Sequence, residues 1–320
     1  MDKGKPRVSI GVPVFNGERY LRQALNSILA QTYRDFDLII SDNASTDKTQ
    51  NICLEYASKD RRLRYYRNKK NIGAAANYNR VFLLSSSEYF KWAAHDDVLS
   101  PEFLEKCVRV LEGDSSIVLC YSKVGRIDEN GVLVKKYDDK TMSNLCSWKP
   151  HERFSDYLFS SRTPPWAIMG VVRAESLAKT PLHGSHIGSD ANLLAELSLM
   201  GRIYEIQEQL FFRREHPQAY SNVYGSLVGI QDYRRQLSWW GGNRKSFLLA
   251  LPRWMNCLEF FRSVNRVPLK FSERCLCYIE IGRWLLRERK RLIWELFNEF
   301  QLWRIRLHYG QAKKGVSKSS

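Results

Sequence analysis

Val8-Ser9-Ile10-Gly11-Val12-Pro13-Val14 and, one helix later, Phe36-Asp37-Leu38-Ile39-Ile40-Ser41 are the stretches whose reading decides the fold. The first is β-branched and ends near a proline. The second is short and mostly apolar, as expected of a strand in a parallel sheet covered on both faces. Between them, Glu18 to Gln31 places Leu21, Leu25, Ile28 and Leu29 at helical spacing. The alternation continues outward. Asp42-Asn43-Ala44-Ser45-Thr46-Asp47 supplies turn and capping residues before a helix over 48–57. Strands follow over Leu63–Arg67, Tyr89–Ala94 and Ile117–Tyr121, with helices over Ala74–Leu84 and from Pro101 to Leu111 between them. Strands separated by single helices predict right-handed crossovers and an α/β fold: a Rossmann-like, mostly parallel open sheet flanked by helices. Ligands of such sheets bind beyond the carboxyl ends of the strands.

Beyond residue 121 the pattern is mixed. Val132–Tyr137 reads as a hairpin arm after Glu129-Asn130-Gly131, Ala167–Arg173 as an apolar strand, Ala191–Met200 as a helix closed by Gly201, and Ile203–Arg213 as extended chain. From about 226 the chain turns helical and basic. Of a net charge of +16, residues 234–320 contribute 19 basic against 6 acidic side chains, and they hold six of the nine tryptophans. Three regions are expected: 1–121, 122–225 and a basic, Trp-rich helical region, 226–320.

The 320 residues, 44% hydrophobic and 26% charged, exclude a disordered or low-complexity chain. No run of 18 apolar residues and no apolar leader follow Met1, so a cytoplasmic protein is expected. Seven cysteines, an odd and scattered set, exclude a full disulfide framework, and Cys275-Leu276-Cys277 lacks ordinary zinc spacing; reduced thiols fit better.

The turn Pro13-Val14-Phe15-Asn16-Gly17-Glu18 lacks the glycine fingerprint of a dinucleotide site, and no P-loop occurs. The candidate ligand groups are instead acidic. Asp42, at the end of the second strand, can accept from a base or ribose edge; it can equally close an Asx-turn or cap the next helix. His95-Asp96-Asp97 ends the fourth strand with two hard oxygen ligands suited to Mg²⁺ or Mn²⁺, or forms a solvated turn. Asp190 opens a helix as a general base or as its cap. His216, in Arg213-Arg214-Glu215-His216-Pro217, is either a ligand or a loop residue. His183-Gly184-Ser185-His186 reads as a flexible loop over the site rather than a zinc pair.

These residues, taken in order, resemble the family 2 glycosyltransferases. Val8–Gly17, Ser27-Ile28-Leu29-Ala30-Gln31-Thr32-Tyr33, Ser41–Asp47, Asn71-Ile72-Gly73 and His95-Asp96-Asp97 carry the likeness, most densely over residues 6–112. The resemblance implies a GT-A fold with a nucleotide-sugar-binding half (1–121) and an acceptor-side half (122–225). It implies inverting sugar transfer from a nucleotide-diphosphate donor, first among them a UDP-sugar, with Mn²⁺ or Mg²⁺. Pro13, Phe15, Asn16, Glu18, Asp42, Asn71 and Asp96 would bind the nucleotide sugar, Asp97, Asp96 and His216 the metal, and Asp190 would be the catalytic base. Two departures stand out: Asp42-Asn43-Ala44-Ser45 where paired acids and Gly-Ser are commoner, and Ser189-Asp190 where a Glu-Asp pair is usual.

The expected role is cell-surface polysaccharide synthesis on a saccharide or lipid-linked acceptor, peripherally at the inner membrane face. The tail motivates the membrane: Ile281, Trp284, Leu285 and Glu288 fall at helical spacing, a face only partly apolar, beside Arg287, Arg289, Lys290 and Arg291, as an interfacial helix would place them. A helical cap with solvated charges is the competing reading. A basic nucleic-acid-binding protein or a scaffold without transferase activity are the rivals from other classes, and no nucleic-acid-binding signature supports the first.

Overall fold

The computed structural model describes residues 5–136, 144–159, 165–219, 236–241 and 251–316. Strand β1 (Val8–Val14) is buried along its whole length, because β2 (Phe36–Asp42) and β4 (Tyr89–Trp92) pair with it in parallel on either side. β3 (Leu63–Arg67) extends the parallel set beyond β2. Helices α1 (Leu21–Leu29), α2 (Thr49–Lys59) and α3 (Ala74–Leu83) make the crossovers. α3 lies so close to β1 that a Cβ on Gly11 would meet Val81 at 2.5 Å, so only glycine fits there.

The remaining strands are β5 (Val98–Leu99), β6 (Ile117–Ile127), β7 (Leu133–Lys136), β8 (Val171–Arg173) and β9 (Arg202–Arg214). They complete a nine-stranded sheet of order β3-β2-β1-β4-β8-β6-β9-β5, with β7 on β6. β8 runs antiparallel between β4 and β6, so the sheet is parallel in its first half and mixed as a whole. The short β5 pairs with β9 and has no counterpart in the sequence reading. β6 runs six residues past the expected Tyr121, through a register shift at Ser122–Lys123 that hides it from a periodicity argument. The expected strand over Ala167–Arg173 is a 3₁₀ turn over Pro165–Met169 followed by the three-residue β8. Tyr137, the last residue of the expected hairpin arm, and residues 220–235 and 242–250 of the tail and its approach lie outside the described residues.

Two apolar cores fill the two faces of the sheet. One joins β1 and β2 to α1, α2 and α4 (Phe103–Gly113); the other joins β4 and β6 to α3 and α7 (Ser189–Met200). A third, smaller core docks the C-terminal helices α8 (Pro252–Arg266) and α9 (Phe271–Val316) on α5 (Pro150–Phe159) and α7. The short α6 (Ala174–Ala178) follows β8. Phe154, Leu199, Phe260, Val264 and Ile281 meet in the third core, with Trp284 and Leu285 packed at its edge. This changes the reading of the tail: the stripe Ile281, Trp284 and Leu285 faces the body of the protein, not a membrane. All seven cysteines are unpaired thiols.

Candidate active site

The register of the sheet builds the site. Val14 of β1 lies beside Asp42 of β2, and the Asn43 N–H donates to the Val14 carbonyl at 2.8 Å. The Ala93 N–H donates to the Gly11 carbonyl at 2.9 Å. The turns after β1, β2 and β4 therefore open on one edge. They form one wall of a cleft of 1280 Å³, closed on the other side by the loop leading into α7, the end of β9 and residues 238–241.

Pro13, Phe15, Asn16 and Asn71 line this cleft. Asn16 holds a left-handed backbone (φ 51°), fixed by its N–H donating to Ser45 Oγ at 2.9 Å and its Oδ1 accepting from the Thr46 N–H at 2.8 Å. Asn71 Oδ1 accepts from Asn43 Nδ2 and from the Gly73 N–H, tying the two turns together. Glu18 and Asp42 are placed differently from these. Glu18 Oε2 accepts from the Lys48 N–H at the start of α2, outside the cleft lining. The Asp42 carboxylate is completely buried. It accepts from the Ser45 N–H, Tyr65 Oη and Arg67 Nη1, and the cleft is met by its neighbour Asn43.

Asp96 and Asp97 face the cleft with His95. Asp96 Oδ2 lies 3.0 Å from His216 Nε2, and Asp97 Oδ1 accepts from the Arg214 N–H at 2.9 Å. Burial and the neighbouring Asp96 charge hold the Asp97 carboxyl well above the usual carboxylate range. Burial pushes Asp96 the same way, but the nearby His95 and His216 outweigh it and draw its carboxyl below that range. His216, expected as a metal ligand, has its Nε2 committed to Asp96 and its ring against Tyr20. Among the described residues, no three His, Cys, Asp or Glu side chains converge as a complete metal shell.

In the sequence Arg214 stands out only as a neighbour of His216 in Arg213-Arg214-Glu215-His216-Pro217. It proves to be the brace of the site. Almost wholly buried, it donates from Nε to the Asp96 carbonyl, from Nη1 to the carbonyls of Asp128 and Glu129, and from Nη2 to Gln23 Oε1. Lys91, a cation inside an aromatic strand, is likewise buried; its Nζ donates to the Trp92 and Met169 carbonyls, and burial pushes its pKa down to about 8. A lysine at 214 cannot span four acceptors from one nitrogen. Arg214→Lys is expected to cost about 3 kcal/mol of stability, read as a lower urea midpoint with an unchanged slope.

Asp190 lies across the cleft, at the second position of α7. The helix begins after Gly188, and no side chain caps it. Asp190 Oδ1 accepts from the adjacent Ala191 N–H at 2.9 Å, and burial raises its carboxyl above the usual range. The two histidines of the preceding loop diverge: His186 Nε2 meets Asn192 Oδ1, while His183 enters an aromatic cluster.

A sheet of this order, with acids at its carboxyl edge and a helical C-terminal region, is a GT-A fold. The chain belongs to glycosyl transferase family 2, whose sequence pattern matches residues 9–172. It is 35% identical over 135 residues to an uncharacterized glycosyltransferase of Methanocaldococcus jannaschii, covering 42% of this chain and 47% of that one. It is 37% identical over 151 residues to one of Rickettsia typhi, covering 47% and 43%. The chain thus spans about half the length of the curated relatives it matches. In structure it resembles S. aureus TarS 1–349 in complex with UDP-GlcNAc, with a TM-score of 0.56 and 16% identity over 87% of this chain and 80% of that one. It also resembles the mannosyltransferase PcManGT of Pyrobaculum calidifontis in complex with GDP-Man and Mn²⁺ (TM-score 0.51, 13% identity, 92% and 88% covered). Family membership favours the enzyme over the nucleic-acid-binding and scaffold rivals.

Proposed function

We propose that the protein is an inverting glycosyltransferase, moving a sugar from a nucleotide-diphosphate donor to a saccharide or lipid-linked acceptor in cell-surface polysaccharide synthesis. The observation that carries this reading is the carboxylate set of the cleft. Among the described lining residues it consists of Asp96 and Asp97 on one wall and Asp190 on the other. A retaining double displacement needs a further carboxylate against the sugar; one base and one acidic pair suffice for a single in-line displacement. Asp190 takes the acceptor's proton. Pro13, Phe15, Asn16 and Asn71 receive the nucleoside, while Asp42 and Glu18 hold the turns that present it. Donors of this class are what the solved neighbours hold: UDP-GlcNAc in one and GDP-Man in the other.

Asp96 and Asp97 fit a hard divalent cation, Mn²⁺ or Mg²⁺. Two adjacent, half-buried carboxyls, one of which opposes the ionisation of the other, would be stabilised by a positive ion, and the donor's diphosphate would supply further oxygen ligands. When bound, the cation neutralises the departing diphosphate. Arg214 fixes the backbone of the pair, and His216 holds Asp96. The test is thermal shift with UDP-, dTDP-, GDP- and ADP-sugars, each with and without Mn²⁺. Stabilisation by one donor, enlarged by the metal, is expected; no shift with any of them would sink the reading.

The catalytic part is placed at 1–225 and a membrane-facing region at 226–320. Helix α9 supports the second assignment. Its Glu280, Glu295 and Glu299 are buried, and Glu288 and Glu295 pair with Arg253 of α8. Ile279, Leu286, Ile293 and Phe300, spaced by seven residues along one stripe, are each more than half exposed, as are Trp294 and Phe297. Arg283, Arg287 and Arg291 are also more than half exposed. An outward face that is apolar and basic, with these acids turned inward, suits an anionic membrane surface. No helix among the described residues is long and apolar enough to cross one. Each basic residue near the leaflet contributes about 1 kcal/mol. Neutralising Arg287, Arg289, Lys290 and Arg291 together to Gln is therefore expected to release the full-length protein from anionic vesicles at low salt. Equal sedimentation of both proteins, or binding without preference for anionic lipid, would refute the membrane assignment.

A further inference from the structure

His183 is a buried polar side chain of the cleft that the proposed chemistry leaves unused. It is 5% exposed and lines the cleft, and among the described residues neither ring nitrogen has a hydrogen-bond partner. The surroundings explain why. Its ring lies edge-on to Trp92 at 4.8 Å and to Tyr78 at 5.3 Å, and is stacked on Trp240 at 6.0 Å with 28° between the planes. None of these contacts satisfies an imidazole nitrogen. Leaving such a group buried and unpaired is unfavourable.

The ring is held there deliberately. The His183 N–H donates to Asn79 Oδ1 at 2.9 Å, and its carbonyl accepts from Asn79 Nδ2 at 2.8 Å, so one side chain of α3 fixes the backbone from both sides. The preceding Leu182 adopts a left-handed backbone (φ 60°), a strained conformation for a branched residue. On the other side, Trp240 is carried in by a close backbone contact: a Cβ on Gly73 would lie 2.5 Å from Gly241 Cα, and the Ala75 N–H donates to the Trp240 carbonyl. Burial pushes the His183 pKa down to about 3. The ring is thus neutral at physiological pH, with one nitrogen a donor and the other an acceptor.

We propose that His183 is a specificity-determining residue that hydrogen-bonds hydroxyl groups of the donor's sugar ring, with Trp240 and Tyr78 as its apolar walls. A hydroxyl both donates and accepts, so sugar hydroxyls satisfy a neutral imidazole with either nitrogen protonated. The donor's sugar is favoured over the acceptor's by position. Trp92 lies four residues before Asp96 on the same strand end, Tyr78 belongs to the helix that follows the Asn71–Gly73 turn, and the loop carrying His183 runs into α7 and Asp190. The inference rests on the nucleotide-sugar reading above.

The test is calorimetry of full-length wild type and His183→Phe with Mn²⁺, using each of UDP, GDP, dTDP and ADP alone and as its sugar derivative. Phe keeps the ring contacts and removes both nitrogens. The nucleoside diphosphate that binds is expected to keep its affinity within twofold, while the extra affinity conferred by the sugar falls about tenfold. Discrimination between hexose epimers should fall with it, and His183→Gln should recover part of both. If the Phe variant has a lowered Tm, His183→Gln against His183→Met carries the same comparison. An undiminished sugar increment in the variants overturns the assignment alone. So does a variant whose only defect is a raised KM for the acceptor. Failure of wild type to bind any nucleoside diphosphate overturns the nucleotide-sugar reading first, and this assignment with it.

Discussion

Asp190→Asn is expected to bind the nucleotide-sugar donor as wild type does and to turn it over 10²- to 10⁴-fold more slowly, about the reach of a positioned general base. The substitution keeps the size of the side chain and its acceptor for the Ala191 N–H. It removes only the ability to take a proton. The pH dependence separates catalysis from structure. Burial, opposed by the Ala191 and Asp190 N–H groups, raises the Asp190 carboxyl above the usual aspartate range. A base acts in its ionised form, so the acidic limb of kcat/KM should lie above the usual aspartate value of about 3.9, and in the Asn variant it should vanish. Stability should move the opposite way. A carboxyl with a raised folded pKa binds more protons folded than unfolded between the two pKa values, so its ionisation favours unfolding as pH rises. Asp190→Asn should therefore melt no lower than wild type at pH 7. Wild-type turnover would show that another group is the base; a lowered Tm together with lost donor binding would show a structural role instead.

What the sequence made legible follows from where burial is simple. β1 and β2 are covered on both faces, so their apolar content alone reveals them, and the register that aligns Val14 with Asp42 follows from the parallel pairing. Asp96 and Asp97 were visible as charges placed where such a strand ends, and Asp190 as an acid opening a helix. β8 was misjudged because only three of its seven expected residues fit between β4 and β6; the rest turn away at Pro165–Met169. β5 is two residues long, too short for any period. Arg214 and His183 escaped for another reason. Each is a polar group in the interior whose place depends on partners from distant parts of the chain: Gln23, Asp96 and Asp128 for the arginine, Asn79 and Trp240 for the histidine. Similarly, the helical spacing in α9 revealed that Ile281 and Trp284 share a face. It could not reveal that α5 and α8 already occupy it.

Asp97→Asn should have the largest effect on donor binding. In the metal-free protein the Asp97 carboxyl is held above the usual range by burial and by Asp96, and an amide at this position replaces a carboxyl whose ionisation is opposed while its oxygen still accepts from the Arg214 N–H. The variant is therefore expected to fold as well as wild type and to retain the arrangement of Asp96, His216 and Arg214. It loses the negative charge that would hold a cation against the diphosphate. Donor affinity in the presence of Mn²⁺ should fall by about 10²- to 10³-fold, on the scale of other preorganised electrostatic contacts to reacting groups. With EDTA, wild type and variant should converge, since the missing interaction is then missing from both. Asp42→Asn distinguishes this loss from general damage. Asp42 is buried with Tyr65 and Arg67 away from the cleft lining, so its replacement should lower stability and leave the response to Mn²⁺ in place. A donor affinity indifferent both to chelation and to Asp97→Asn would mean that the departing diphosphate is neutralised without a metal. The basic groups already at that end of the cleft, Arg213 and His216, would then be the residues to replace next.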